Sequence, residues 1–390
     1  MHTSRFITAA LLLLAGCSSP VTGTAAPAGG EPFTEVLGRI DLADVDDQLD
    51  LYDVAATPDG GFVALLTGNL GTANRQGSAL VELVPGDDGL TVGRVTEGAP
   101  YAGDGAGGEL HVAGDGTVVA LGPVLSGDGS DDEAWDLALT VLAPGAETVD
   151  VVRIAADPDL GTPDRGTGVL SADGETLYAG LEWEGDGEST HRLAAVDVAT
   201  GEVLASADLQ LDRSVPPDAD ELALRPGGGV AALVHGAADG VVLAEYDADL
   251  RLVREPVEVV PGETATGYGL QVLADGTAVV SVGVTGDRAD ALLVTLQDGE
   301  VRAAHTVPGV ATELVVDRAE RVAYLGHSRA EGGAAVATVD LGTGEVLADV
   351  VLCEGLGAAA DVALAADGST LAATAECPGE GSSRLTWLLG

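Results

Sequence analysis

Carboxylates are the most abundant reactive groups of this chain, and one run of them has a spacing that could hold a metal. In residues 127–136 (GDGSDDEAWD), Asp128, Ser130, Asp132 and Asp136 stand at alternating or near-alternating positions. Alternating oxygen donors suit a hard cation, so Ca2+ is the candidate ligand here. The run lacks the sixth-position Gly and twelfth-position Glu of helix-flanked calcium loops, and the competing expectation is an acidic loop inserted between strands. The shorter runs 44–47 (DVDD), 86–89 (GDDG) and 185–188 (GDGE) read as turns.

The remaining chemistry is sparse. His111, His191, His235, His305 and His327 are dispersed, with no H-x-H or H-x-x-x-H spacing to gather a transition metal. His235 and His327 both fall at the end of a second strand, where ordinary polar roles compete with a shared metal. Residues 326–330 (GHSRA) end in Ala where a nucleophile elbow needs Gly, and they follow a strand without opening a helix. Residues 103–108 (GDGAGG) have neither the Lys nor the helix of a phosphate loop. The sequence therefore assigns no catalytic residue and no cofactor.

What must position any such residue is a repeat. Residues 196–204 (VDVATGEVL) and 339–347 (VDLGTGEVL) nearly copy each other, three repeat lengths apart. Each copy has two halves. The first is a strand, a tight turn and a strand, found at 55–68, 111–123, 169–181, 223–236, 271–283, 315–327 and 363–376. Asp-Gly marks the bend at Asp59, Asp115, Asp173, Asp275 and Asp367, and both residue types tolerate the positive φ of hairpin turns. The second half is another strand-turn-strand, clearest at 192–207 and looser at 242–253 and 292–301. Four short strands per unit and a period of roughly 43 to 58 residues predict an all-β, seven-bladed β-propeller, with six or eight blades if one unit is misread.

The ends predict how the ring closes. The last unit supplies three strands, at 361–366, 369–376 and 384–389, whereas residues 33–42 (FTEVLGRIDL) form an orphan strand upstream of the first unit. Pairing the N- and C-terminal strands completes the seventh blade and removes an exposed edge.

The N-terminus specifies an address. Arg5 and a short apolar run at 7–14 precede Leu14-Ala15-Gly16-Cys17, which resembles the bacterial lipobox. That resemblance implies a signal peptide over 1–16, a lipid on the Cys17 thiol, and a flexible Pro/Gly/Ala/Ser-rich tether over 17–32. A propeller domain then spans 33–390. Two acyl chains would hold it stably on the outer face of the cytoplasmic membrane, in the cell envelope. Cys353 and Cys377 fall at strand ends of neighbouring units, and a disulfide between them suits an exported protein.

Charge narrows the partners. The chain has 63 acidic residues against 17 basic ones, all Arg, for a formal net charge of −46. Nucleic acid is excluded as a partner, because phosphate binding needs cations. The absence of Lys beside abundant Ala, Gly and Val suggests a high-GC, actinobacterial genome, with a halophile as the alternative.

The segments 195–201 (AVDVATG) and 340–344 (DLGTG) resemble strand-turn-strand units of the YVTN and quinoprotein-like, broadly WD40-like, propellers. In quinoprotein repeats a Trp follows four residues after the Gly. Here Ala205 and Ala348 stand there, so the resemblance carries across no quinone-binding residue. The expectation is a monomeric, lipid-anchored binding or scaffold module for a protein or glycan. The alternatives are a lactonase-like or other hydrolase at the channel mouth, with calcium as its possible ion, and a cell-envelope ligand sensor.

Overall fold

The repeated hairpin is short because its turn is chemically specified. Gly60, Gly116, Gly174, Gly276 and Gly368 take φ between 74° and 90°, a region open to Gly. The preceding Asp does something else than expected. None of these Asp residues has positive φ. Instead its carboxylate accepts the backbone N–H two residues on: from Thr117 to Asp115 (2.8 Å), Thr277 to Asp275 (2.8 Å) and Ser369 to Asp367 (2.9 Å). The Asp is a side-chain clamp and the Gly alone carries the strained backbone. In the unit without either residue, Glu320 takes the turn with φ 55°.

The computed structural model describes residues 32–390, apart from 46–49, 68–76, 87–88, 100–108, 126–134, 164, 186–187, 210–217, 237–239, 261–264, 285–289, 330, 356–357 and 378–381. These residues form seven antiparallel sheets of four strands each, arranged as the seven blades of a propeller. The innermost strands, in blade order, are Asp50–Ala56, Glu109–Val112, Arg165–Leu170, Asp218–Leu224, Ala265–Val272, Val310–Val316 and Ala358–Leu364. Among the described residues the helical structure is one 3-10 turn, Leu42–Asp44.

One strand departs from expectation. Residues 242–253 were expected to supply the third and fourth strands of blade 4. The third is Gly240–Tyr246, but after the turn the chain makes a single bridge, Tyr246 to Leu252, and the fourth strand is Val257–Glu258. Pro256 lies between the two contacts, and a residue without an N–H interrupts a ladder.

The core is divided among the seams. Each pair of neighbouring blades shares its own apolar cluster, such as Leu137, Leu139, Ala179 and Leu181 between blades 2 and 3. Stability is therefore built from nearest-neighbour contacts around the ring. The two near-identical nonapeptides mark such a contact. Asp197 accepts hydrogen bonds from the Thr200 N–H (2.8 Å) and hydroxyl (2.7 Å), which folds the turn. Gly201, at φ 73°, then sits so close to blade 2 that an added Cβ would lie 2.0 Å from the Arg153 carbonyl oxygen. Gly344 abuts His305 of blade 5 in the same way.

Closure is as the ends predict. Val36–Asp41 pairs antiparallel with Ser382–Leu389, with Arg39 opposite Trp387 and Asp41 opposite Leu385. Phe33, just upstream, reaches blade 6, where its ring centroid is 4.8 Å from that of Tyr324. The Cys353–Cys377 disulfide crosses the same seam, from the outer strand of blade 6 to the second strand of blade 7. Deleting residues 33–42 leaves blade 7 with a bare edge, and the variant should aggregate on size-exclusion chromatography. The paired C353S/C377S variant should still fold but lose about 3 kcal/mol, from a cross-link closing 24 residues, read as a melting temperature several degrees lower.

Candidate functional site

Seven inner strands converge on one axis, and the side chains they aim there share a narrow channel. One level of that channel is acidic. Counting six residues back from the hairpin-turn position in each unit gives Asp53, Glu109, Thr167, Glu221, Gly269, Glu313 and Asp361. Strand pairing makes them equivalent: Asp53, Glu109, Thr167, Glu221 and Gly269 face Leu65, Leu121, Gly180, Leu233 and Ser281 of the second strands. Glu313 and Asp361 lie within bulges at the corresponding place. Five of the seven positions are carboxylates. Inner-strand bulges also fall at this level in blades 1, 4 and 5, and a bulge re-aims the side chain it carries.

The girdle is stitched from blade to blade. The Leu110 N–H of blade 2 donates to Asp53 Oδ2 of blade 1 at 2.7 Å, and the Val54 N–H donates to Oδ1 at 2.6 Å. Glu109 repeats the pattern one blade on, accepting from the Thr167 hydroxyl and the Gly168 N–H of blade 3. At blade 5 no such stitch is possible. Gly269 has no side chain, and a Cβ there would already lie 3.0 Å from the Leu314 nitrogen. His111 stands beside the girdle, its Nε2 3.7 Å from Glu109 Oε2.

These carboxyls are half-buried, open in part to the channel and otherwise covered by protein. Burial is the largest influence on Asp53, Glu313 and Asp361 and disfavours their ionised forms. It pushes Asp53 up to about 7, with Glu109 adding repulsion while the Leu110 N–H and His111 oppose the rise. Glu313 is held well above the usual carboxylate range by burial and then by Asp361 and Asp53. Asp361 is raised likewise by burial and Asp53, against a hydrogen bond from Thr374. The phenol of Tyr52, next to Asp53, is also raised by burial and by Asp361, Glu109 and Asp53. The carboxyls of blades 6, 7, 1 and 2 thus form one electrostatically coupled arc.

Of the residues singled out in the sequence, Cys353 and Cys377 are joined as the disulfide. Cys17 and its tether lie outside the described residues, as do Asp128, Ser130 and Asp132. Asp136 is described, and it is occupied by Arg153, whose Nε donates to its Oδ2 at 3.0 Å. His327 is buried and bound through Nε2 to Asp349 Oδ1 at 2.9 Å, which holds that carboxyl below its usual range. Its side chain is engaged within blade 6, away from any shared metal. Among the described residues no group of three His, Cys, Asp or Glu side chains is placed to hold a metal ion. A cavity of about 310 Å3 opens at the seam of blades 1 and 2, where Arg94 is engaged by Glu82; it shares no residue with the girdle.

No family model matches this chain, and no curated protein matches it. Solved structures do, with 602 matching chains. One is the hydrazine synthase of Kuenenia stuttgartiensis, at 14% identity and a TM-score of 0.57, covering 84% of this chain and 93% of that one. So low an identity carries the propeller fold alone, and a fold this widely used selects no activity.

The girdle makes stability depend on pH in an unusual direction. Carboxyls whose folded pKa is raised give stability that is complete below the unfolded value, near 4, and is lost as pH rises through about 7. The turn aspartates Asp59, Asp173 and Asp367 are lowered by side-chain hydroxyl hydrogen bonds and work oppositely, so their contribution is lost at strongly acidic pH. The melting temperature should therefore peak in the mildly acidic range and fall between pH 5.5 and 8. E313Q or D361N should flatten that fall; a wild-type melting temperature that climbs toward pH 8 would contradict the account.

Proposed function

We propose that the protein is a lipid-anchored, extracytoplasmic propeller that serves as a binding or scaffold module for a protein or glycan. The observation that carries this reading is the girdle. Carboxylates stand at five equivalent positions of one channel, and burial of Asp53, Glu313 and Asp361 costs stability at neutral pH, a cost characteristic of sites kept for recognition or catalysis. The Cys353–Cys377 disulfide suits an oxidising compartment, and the lipobox-like residues ending in Cys17 supply the anchor. C17A should release the protein from the membrane fraction and abolish incorporation of labelled palmitate. Photo-crosslinkers placed on the channel-face loops of intact cells should capture one reproducible partner; recovery of no reproducible species would reject the scaffold reading.

A hydrolase is the second reading, and Asp53 favours it. A carboxyl near 7 in an arc that also holds His111 has the protonation behaviour of a general acid–base group. Turnover of a lactone or ester panel that disappears in D53N would select this reading over the first.

A further inference from the structure

We propose that the carboxylate girdle is a binding site for a protonated primary amine, an ammonium group supplied by another molecule. This rests on the reading of the propeller as a binding module and names the chemistry its channel accepts.

Several observations converge. The charges facing one another are Tyr52 and Asp53 on the inner strand of blade 1, Glu109 and His111 on blade 2, Glu313 on blade 6 and Asp361 on blade 7. On the opposite arc, Glu221 lies on the inner strand of blade 4 and Arg165 on that of blade 3, and each has an interaction partner of its own. Among the described residues, no Arg contributes to the field at Asp53, Glu313 or Asp361; the cationic influence there is His111 on Asp53. The chain contains no Lys, so it cannot fill the girdle with an ammonium of its own.

Beyond the count of acids, one polar atom in this wall lacks a hydrogen-bond partner. The Oδ2 atom of Asp361, on a half-buried residue, is itself buried and has no hydrogen-bond donor. Buried acceptors without a donor are rare in folded proteins and mark a place where a ligand donor fits. The donor must be cationic, because an ion pair offsets the repulsion that burial imposes on the arc. A bare metal ion fits poorly, since no three of these side chains close on one point. An ammonium has three diverging N–H donors on a compact charge, and reaches acceptors set wider apart than metal ligands. The net charge of −46 concentrates cations at the channel mouth. Binding at neutral pH displaces the protons that the arc shares, so it should be accompanied by proton release and should fail below about pH 5.

The test is thermal unfolding and calorimetry of the purified protein at pH 7.5 with 1,5-diaminopentane as probe, against tetramethylammonium and Ca2+ at equal ionic strength. Diaminopentane at ten times its dissociation constant should raise the melting temperature by about 2 °C. Its binding heat should depend on the ionisation enthalpy of the buffer, reporting released protons. E313Q and D361N, which relieve repulsion and so should fold, should each weaken binding about tenfold. An equal shift with tetramethylammonium, which has the charge but no N–H, would overturn the proposal, as would no shift at all. Displacement of the probe by micromolar Ca2+ would overturn it in favour of an ion site. A crosslinked partner recovered undiminished from cells carrying E313Q/D361N would remove the girdle's role yet leave the binding-module reading standing.

Discussion

Everything in this molecule depends on the first strand reaching the last blade. Each seam buries its own apolar cluster, so a blade is stable only between two neighbours, and an open ring would leave two blades half-covered. Val36–Asp41 solves this by hydrogen bonding to Ser382–Leu389. The same seam is reinforced by Phe33 on Tyr324 and by the disulfide. Trp387, 2% exposed, fills the space between them. The closing strand carries no information about ligands, but it sets the diameter of the channel. The inner strands cannot splay apart to relieve the repulsion among their carboxylates while the ring is locked.

That constraint explains why acids can be tolerated at the axis. An isolated buried carboxylate takes a proton to avoid its desolvation penalty, and several together share too few protons to settle into one arrangement. The backbone limits the cost. Asp53 and Glu109 each use the N–H following the equivalent position of the next blade as a donor. These bonds join neighbouring inner strands at a point where no sheet hydrogen bond runs, so the acids help to bind the blades they destabilise. Glu313 and Asp361, whose next-blade positions offer no comparable stitch in the described contacts, are held well above the usual carboxylate range by burial.

Much of this was legible in the residues. Asp-Gly bends fix the hairpins, the near-copied TGE turns fix the period, and an orphan strand beside a three-stranded unit fixes the closure. The pairing of Cys353 with Cys377 followed from where strands end. What escaped notice had a physical reason in each case. The fourth strand of blade 4 was set too early because hydropathy does not register the missing N–H of Pro256. The girdle was missed because a search for metal or catalytic motifs looks for residues close in sequence. Its members are one to a blade and dozens of residues apart, so no local motif joins them. The signal was a fixed offset, six residues ahead of every turn, visible only once the turns are aligned.

The offset also separates recognition from solubility in so acidic a chain. Among the described residues the fully buried acids are Glu245 and Asp317, and on an exposed surface the spacing of carboxylates is unconstrained and a lost charge changes little. A random acid would fall on an inward-facing inner-strand position rarely, because that position is desolvated and next to its counterparts. Acids stand there in five of seven units, while Thr167 supplies an oxygen and Gly269 none, so this inward position is as regular across the repeats as the Asp-Gly bend of the hairpins. The flanking positions do not share it: two residues on, the same strands carry Ala55, His111, Val169, Ala223, Gln271, Val315 and Ala363. A purely structural ring would be more stable with apolar side chains at the girdle as well. The acids are therefore best understood through what they meet in the channel and not through what they do for the fold.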